Sequence, residues 1–212
     1  MTKIEDGKIA DGRVQRKIYA GIEHDDLSQI SAIVLHRTDS LAAEGTLNAY
    51  AHGKTSGAHF LIDKSGLIYQ TASMRKTCWH IGELLPRCEV EKSCDPSELK
   101  TITALIHERG LAFGLRAVNL SRHEAAKSYP LRYPSNSDSV GIEVVGKFWA
   151  SAKTFEKPTL EQLRSLKWLV ETIVEEYSLS LHDDVYAHGA IARKQVCEGA
   201  QLLQFLHSGA VQ

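Results

Sequence analysis

An α/β fold, built as a single domain with a central mixed β-sheet flanked by helices, is predicted by three features of the sequence. Two short apolar runs rich in branched residues, Ser31-Ala-Ile-Val-Leu-His36 and Val140-Gly-Ile-Glu-Val-Val145, have the length and composition of buried strands. A long segment from Leu160 to about Ser178 carries Leu163, Leu166, Leu169, Val170, Ile173, Val174 and Tyr177 on one helical face. Strand-like and helix-like segments are mixed along 212 residues, a length that builds one well-buried core and is short for two.

In chain order, residues 1–24 read as a polar N-terminal extension, and the domain proper spans 25–212. The strand ending at His36 is followed by helical composition from Leu41 to Tyr50. Ala58-His-Phe-Leu-Ile-Asp63 and Leu67-Ile-Tyr-Gln-Thr71, divided by Lys64-Ser65-Gly66, form a hairpin pattern with a glycine turn. Pro96 to Glu108 reads as a helix capped by Asp95 or Ser97 and stopped at Gly110. The polar stretch Ser121–Ser139, holding Pro130 and Pro134, reads as a long surface loop. Thr159 with Gln162 three residues on is a capping-box pattern for the long helix. Val185–Cys197 reads as an irregular loop, and Gln201–His207 as a short final helix.

A formal net charge of −1 provides no electrostatic pull toward nucleic acid or an anionic membrane. No run approaches the roughly 18 apolar residues that cross a bilayer. The charged stretch Met1–Arg16 lacks the apolar core of a secretory signal, so the expectation is synthesis in the cytoplasm and any export by a route without a cleaved signal. Cys78, Cys88 and Cys94 crowd together, and an oxidising compartment would allow a Cys88–Cys94 bridge or one that includes Cys78.

Four residues stand out for chemistry. His36 closes an apolar strand, His188 follows the longest helix beside Gly189, and Cys197 precedes the last helix. Two histidines and a thiolate gathered from distant parts of a chain meet the requirement of a zinc site with one position left open. Taken singly, a buried histidine bonded to backbone and an inert thiol explain the same residues. Glu143 lies among apolar neighbours near a strand end, where an acid requires either an ion-pair partner or a task such as proton transfer.

Five segments in order resemble the type-2 N-acetylmuramoyl-L-alanine amidases, the group that includes AmpD-type recycling amidases, phage amidase lysozymes and peptidoglycan-recognition proteins. They are Ile33-Val-Leu-His-Arg-Thr38, Gly57-Ala-His-Phe-Leu-Ile-Asp63, Cys78-Trp-His-Ile-Gly82, Asn136 to Gly146, and Ala187 to Lys194 with Cys197-Glu-Gly199. The resemblance implies the peptidoglycan-recognition-protein/amidase-like fold and one Zn2+ ion held by His36, His188 and Cys197. It implies Glu143 and Lys194 as catalytic residues, with Arg193 as a substitute for Lys194. Arg193, His59, Trp79, His80 and Asn136 are the implied substrate-binding residues. The sequence departs from the family in placing both Gln195 and Val196 between Lys194 and Cys197, and in having Glu198 where a proline is usual. Ala58 stands where the phage branch has a tyrosine, which favours the glutamate-using branch.

The implied activity is hydrolysis of the bond between N-acetylmuramic acid and L-alanine in peptidoglycan or muropeptides. The expected setting is cell-wall degradation in the periplasm after non-classical export or injection, as an antibacterial effector with an immunity protein as partner, or as a lysin. A cytoplasmic muropeptide-recycling enzyme and a non-catalytic peptidoglycan-binding module of the same fold are the alternatives.

Overall fold

The structure, a computed structural model, describes residues 3–209; the few residues of the expected domain limits beyond these lie outside the described part. In chain order the strands are β1 (Lys3–Glu5), β2 (Lys8–Ala10), β3 (Val14–Arg16), β4 (Ala32–Arg37), β5 (Phe60–Ile62), β6 (Ile68–Gln70), β7 (Ser139–Val144), β8 (Phe148–Trp149), β9 (Thr154–Phe155) and β10 (Val185–Ala187). The helices are α1 (Ala43–Ala51), α2 (Arg87–Val90), α3 (Pro96–Ile106), α4 (Phe113–Ala125), α5 (Leu160–Tyr177), α6 (His188–Ile191) and α7 (Ala200–Ser208). A six-stranded sheet in the order β10-β4-β7-β5-β6-β3 forms the centre. Only the β5–β6 hairpin is antiparallel; β10, β4, β7 and β5 run parallel, so the sheet is mixed as expected.

Alternation along the central strands decides which face does what. Ile33 and Leu35 of β4 and Val140, Ile142 and Val144 of β7 point to one face, where Leu166, Leu169, Val170 and Ile173 of α5 and Leu202 and Leu206 of α7 cover them. Each such side chain, once fully buried, contributes about 1.5–3 kcal/mol. Val34 faces the other way, packing with Ile81, Leu84, Tyr133 and Ile191. On that second face Leu61 of β5 packs with Ala43 and Leu47 of α1. His36 and Glu143, of the same parity as Val34 and Gly141, open onto this second face at the carboxyl ends of their strands.

The strongest helix signal has its expected cause. The Thr159 hydroxyl accepts from the Gln162 N–H at 3.1 Å while the Gln162 side chain accepts from the Thr159 N–H at 3.0 Å. Asp95 caps α3 by accepting from the N–H groups of Ser97 and Glu98.

Three sequence expectations are corrected. The expected polar N-terminal extension, residues 1–24, joins the fold within its described part: β3 is an edge strand of the main sheet, paired in parallel with β6, and Ile9 and Ile22 are fully buried. The polar composition reflects an edge strand whose Gln15 and Arg16 face solvent. The presumed loop 121–139 begins inside α4, which has no side-chain cap and exposes Phe113 and Leu115, so it lacks the usual start signal and apolar stripe. Its end is held instead against α3 by the Lys127–Glu98 ion pair and the His123–Glu98 hydrogen bond, with Lys127 also paired to Glu124. Finally, Val185–Cys197 is not irregular throughout, since it contains β10 and α6; three strand residues are too few to show a period. The Cys88–Cys94 bridge is formed, and Cys78 and Cys197 are free.

Gly199 marks the tightest junction in this frame. It has φ +81, and a Cβ there would lie 2.3 Å from the Leu35 carbonyl oxygen of β4. Gly199→Ala should therefore cost at least about 2 kcal/mol of stability, read by denaturant unfolding, because neither backbone can retreat.

Candidate metal centre

β4 delivers His36 at its penultimate position, and β10 runs directly into α6, whose first residue is His188. Because β10 pairs with β4 through Ala187 opposite Leu35, the two histidines emerge side by side from adjacent parallel strands. Their Nδ1 atoms are 2.9 Å apart, and both rings are almost fully buried. A carboxylate completes the group: Glu198 Oε1 is 2.8 Å from His188 Nδ1 and 3.5 Å from His36 Nδ1.

Glu198 reaches this position because its backbone is fixed above the strand ends. Its carbonyl accepts from the Gly189 N–H at 3.0 Å, and its own N–H donates to Gln195 O at 2.8 Å. The approach depends on Gly189, where a Cβ would meet Gln195 O at 2.1 Å. With Glu198 turned inward, Cys197 turns outward, its Sγ lying 3.5 Å from the Lys153 carbonyl. The expected thiolate ligand is thus not in the cluster, and the adjacent carboxylate is. Sequence reading missed Glu198 by treating it only as a replaced proline; a carboxylate next to a candidate ligand was the available signal.

The donor set fits a zinc ion. The Ile81 carbonyl, 2.7 Å from His188 Nε2, can only accept, so that nitrogen carries the ring proton and Nδ1 presents a lone pair to Glu198 and His36. A carboxylate and imidazole nitrogens converging on one point can hold a cation between them. Tetrahedral zinc with bonds of about 2.0–2.1 Å places its ligand atoms about 3.3 Å apart, and the observed separations are 2.8, 2.9 and 3.5 Å.

Electrostatics follow from burial. Desolvation, helped by His188, holds the His36 imidazole down to about 4, against the opposing pull of Glu198. Burial raises the Glu198 carboxyl, but the two imidazoles beside it, His188 before His36, more than offset this and bring the group to about 2. Glu143 stands opposite His36 in the β4–β7 register. Burial, then the charge of Glu198, pushes its carboxyl up to about 8, while Lys54, Lys194 and Arg37 act in the opposite direction. Its Oε2 is sealed from solvent and has no hydrogen-bond partner.

The remaining expected residues divide. Lys194 is exposed, and its charge acts on both His36 and Glu143. Arg193 is turned away: it pairs with Glu83 at 3.1 Å and stacks over Phe113 at 4.1 Å, so it neither substitutes for Lys194 nor faces the cluster. His59 is fully buried, accepting from the Gly141 N–H at Nδ1 and donating from Nε2 to Lys76 O, so it is an internal strut and not a substrate-contacting wall. His80 approaches His36, with its Nδ1 3.0 Å from His36 Nε2. Asn136 Oδ1 accepts from the N–H groups of His80 and Ile81 and so shapes that loop. Trp79 is half exposed and stacks on His24 with ring centroids 3.7 Å apart. A second acid–histidine group, Glu98, His123 and Glu124, already contains its cation in the Lys127 ammonium. A depression of about 1000 Å³ beside the N-terminal hairpin lies apart from this chemistry, and its Asp6–Arg75 and Asp26–Lys76 charges are mutually paired.

A family model described as N-acetylmuramoyl-L-alanine amidase matches residues 26–200. Among curated proteins no sequence match is found. Among solved structures, the AmpD derivative is similar over 91% of this chain and 89% of its own, at 17% identity and TM-score 0.54. PlyL is similar over 92% of this chain and 95% of its own, at 12% identity and TM-score 0.55. The PlyG catalytic domain is similar over 93% of this chain and 95% of its own, at 13% identity and TM-score 0.54. At these identities the likeness establishes a shared fold.

Metal titration separates the two candidates for the third ligand. Cys197→Ser should bind zinc as the unaltered protein does, whereas Glu198→Gln should lose affinity by roughly tenfold or more, measured by chelator competition. The reverse ranking would return the thiol to the centre.

Proposed function

The chain belongs to the N-acetylmuramoyl-L-alanine amidase family, and from that premise we propose that it uses one zinc ion to hydrolyse the amide between N-acetylmuramic acid and L-alanine in peptidoglycan. The observation that carries this reading is the convergence of His36, His188 and Glu198 beside Glu143, whose Oε2 is sealed from solvent. When bound, zinc supplies Lewis-acid polarisation of the carbonyl and lowers the pKa of water to about 7.

Glu143 is the proton carrier in this proposal. Its unpartnered Oε2 takes the proton from attacking water and returns it to the departing alanine nitrogen. A carboxyl held near neutrality by opposing burial and lysine charge can do both, whereas an ordinary solvated glutamate is too weak a base. Lys194 stabilises the negative charge that develops on the carbonyl oxygen; its field at both His36 and Glu143 supports that role. Trp79, exposed beside the His80 loop, is proposed as a wall for the substrate.

The Cys88–Cys94 disulfide supports an oxidising place of action, which in bacteria is the periplasm. We extend the proposal accordingly to a cell-wall-degrading protein that acts after export or injection, as an antibacterial effector or a lysin. If it is an effector, its producer requires an inhibiting partner.

Digestion of purified sacculi should release stem peptides beginning at L-alanine, identified by mass spectrometry, with loss under a zinc chelator and recovery on adding zinc. Intact sacculi together with intact soluble muropeptides would favour a binding module of the same fold. Glu143→Gln should retain zinc while turnover falls about 10²-fold or more. Lys194→Ala should fall by about 10²-fold and Arg193→Ala by little, as single-turnover rates would report.

A further inference from the structure

Ser139 has no part among the proposed catalytic or metal-binding residues, yet the geometry points to it as a positioning residue that works through His80 to fix the tautomer of His36. This inference rests on the proposed metal site and concerns how that site is prepared before any ion arrives.

The polarity follows from the end of the chain of contacts. Ser139 Oγ is 2.6 Å from the Ser135 carbonyl, which can only accept, so the single hydroxyl proton is committed there. Ser139 Oγ can then only accept from His80 Nε2, 3.4 Å away, and the Ser139 backbone is a second hydrogen-bond partner of the same ring. A neutral imidazole carries one ring proton, so with Nε2 protonated the His80 Nδ1 is an acceptor. It faces His36 Nε2 at 3.0 Å, and His36 must donate. His36 Nδ1 is thereby left bare, aimed at the point where His188 Nδ1 and Glu198 Oε1 converge. With the opposite polarity His36 would direct a proton into that point and oppose a cation.

The intermediary is held rigidly. At Gly141 of β7 a Cβ would lie 2.8 Å from His80 Nδ1, so the ring is pressed against a strand that has no side chain there. Asn136 Oδ1 holds the backbone N–H groups of His80 and Ile81, and the Ile81 carbonyl orients His188. One loop therefore orients both metal-facing imidazoles, each through its Nε2, which is the arrangement that fixes ligand direction and basicity. Ser139 itself is fully buried at the first position of β7, so its hydroxyl cannot be replaced by water without moving the strand.

Two readouts independent of hydrolysis test this. In metal-free wild-type protein, two-bond 1H–15N NMR should show His36 as the single Nε2–H tautomer. Ser139→Ala should give a tautomer mixture and a loss of zinc affinity of about tenfold, measured by chelator competition. Should Ser139→Ala fail to fold, a His80 pair reads the same link: His80→Gln, whose amide oxygen can accept from His36, should stay within about threefold of wild type, and His80→Leu should lose about tenfold. A single unchanged His36 tautomer in Ser139→Ala with affinity within about twofold of wild type would overturn the relay, as would equal losses in the Gln and Leu variants. Failure of the wild-type protein to bind zinc would instead remove the metal reading, while the tautomer measurement still decides the relay.

Discussion

Everything in the candidate centre depends on the parallel register of β4 with its neighbours. His36 lies opposite Glu143 on β7, and Leu35 lies opposite Ala187 on β10, one residue before His188. Because side chains alternate with period two, a slip of one residue would bury His36 beneath α5 and turn Leu35 into the site. The apolar face prevents this: Ile33, Leu35, Val140, Ile142 and Val144 can all be covered by α5 and α7 in one register only. The functional face is thus positioned by the hydrophobicity of the opposite one.

Burying two imidazoles and a carboxylate together is unfavourable unless each polar atom has a partner. His188 Nε2 uses the Ile81 carbonyl, and His36 Nε2 uses His80. The cluster is closed by a turn that can approach only over glycines, at Gly189 and Gly199, where any side chain would collide with backbone oxygen. Glu143, opposite His36 in the strand register, keeps a sealed oxygen without a partner.

The third position of the candidate centre shows how a motif can hold while a residue changes. The family pattern pointed to Cys197, and the structure turns it toward Lys153 while Glu198 enters the centre. Arg193 and Lys194 are similarly separated by geometry: adjacent in sequence, they part because Arg193 is drawn to Glu83 and Phe113.

The sequence by itself determined the strands that bear His36 and Glu143, the long capped helix behind them, and the mixed single-domain architecture. Apolar periodicity and capping chemistry are local, and a one-dimensional pattern carries them fully. Membership of the amidase family was legible for the same reason, in short segments whose order survives wide divergence. Only the tertiary structure decided that residues 8–22 complete the sheet and that α4 exists without a start signal. It alone also showed that Glu198 displaces Cys197 and that Ser139 stands behind His80. Each of these depends on a partner far away in sequence: β3 on β6, α4 on α3, Glu198 on Gly189, and Ser139 on a histidine 59 positions earlier. Composition reports what a segment can do alone, and these residues act only through what the fold sets against them.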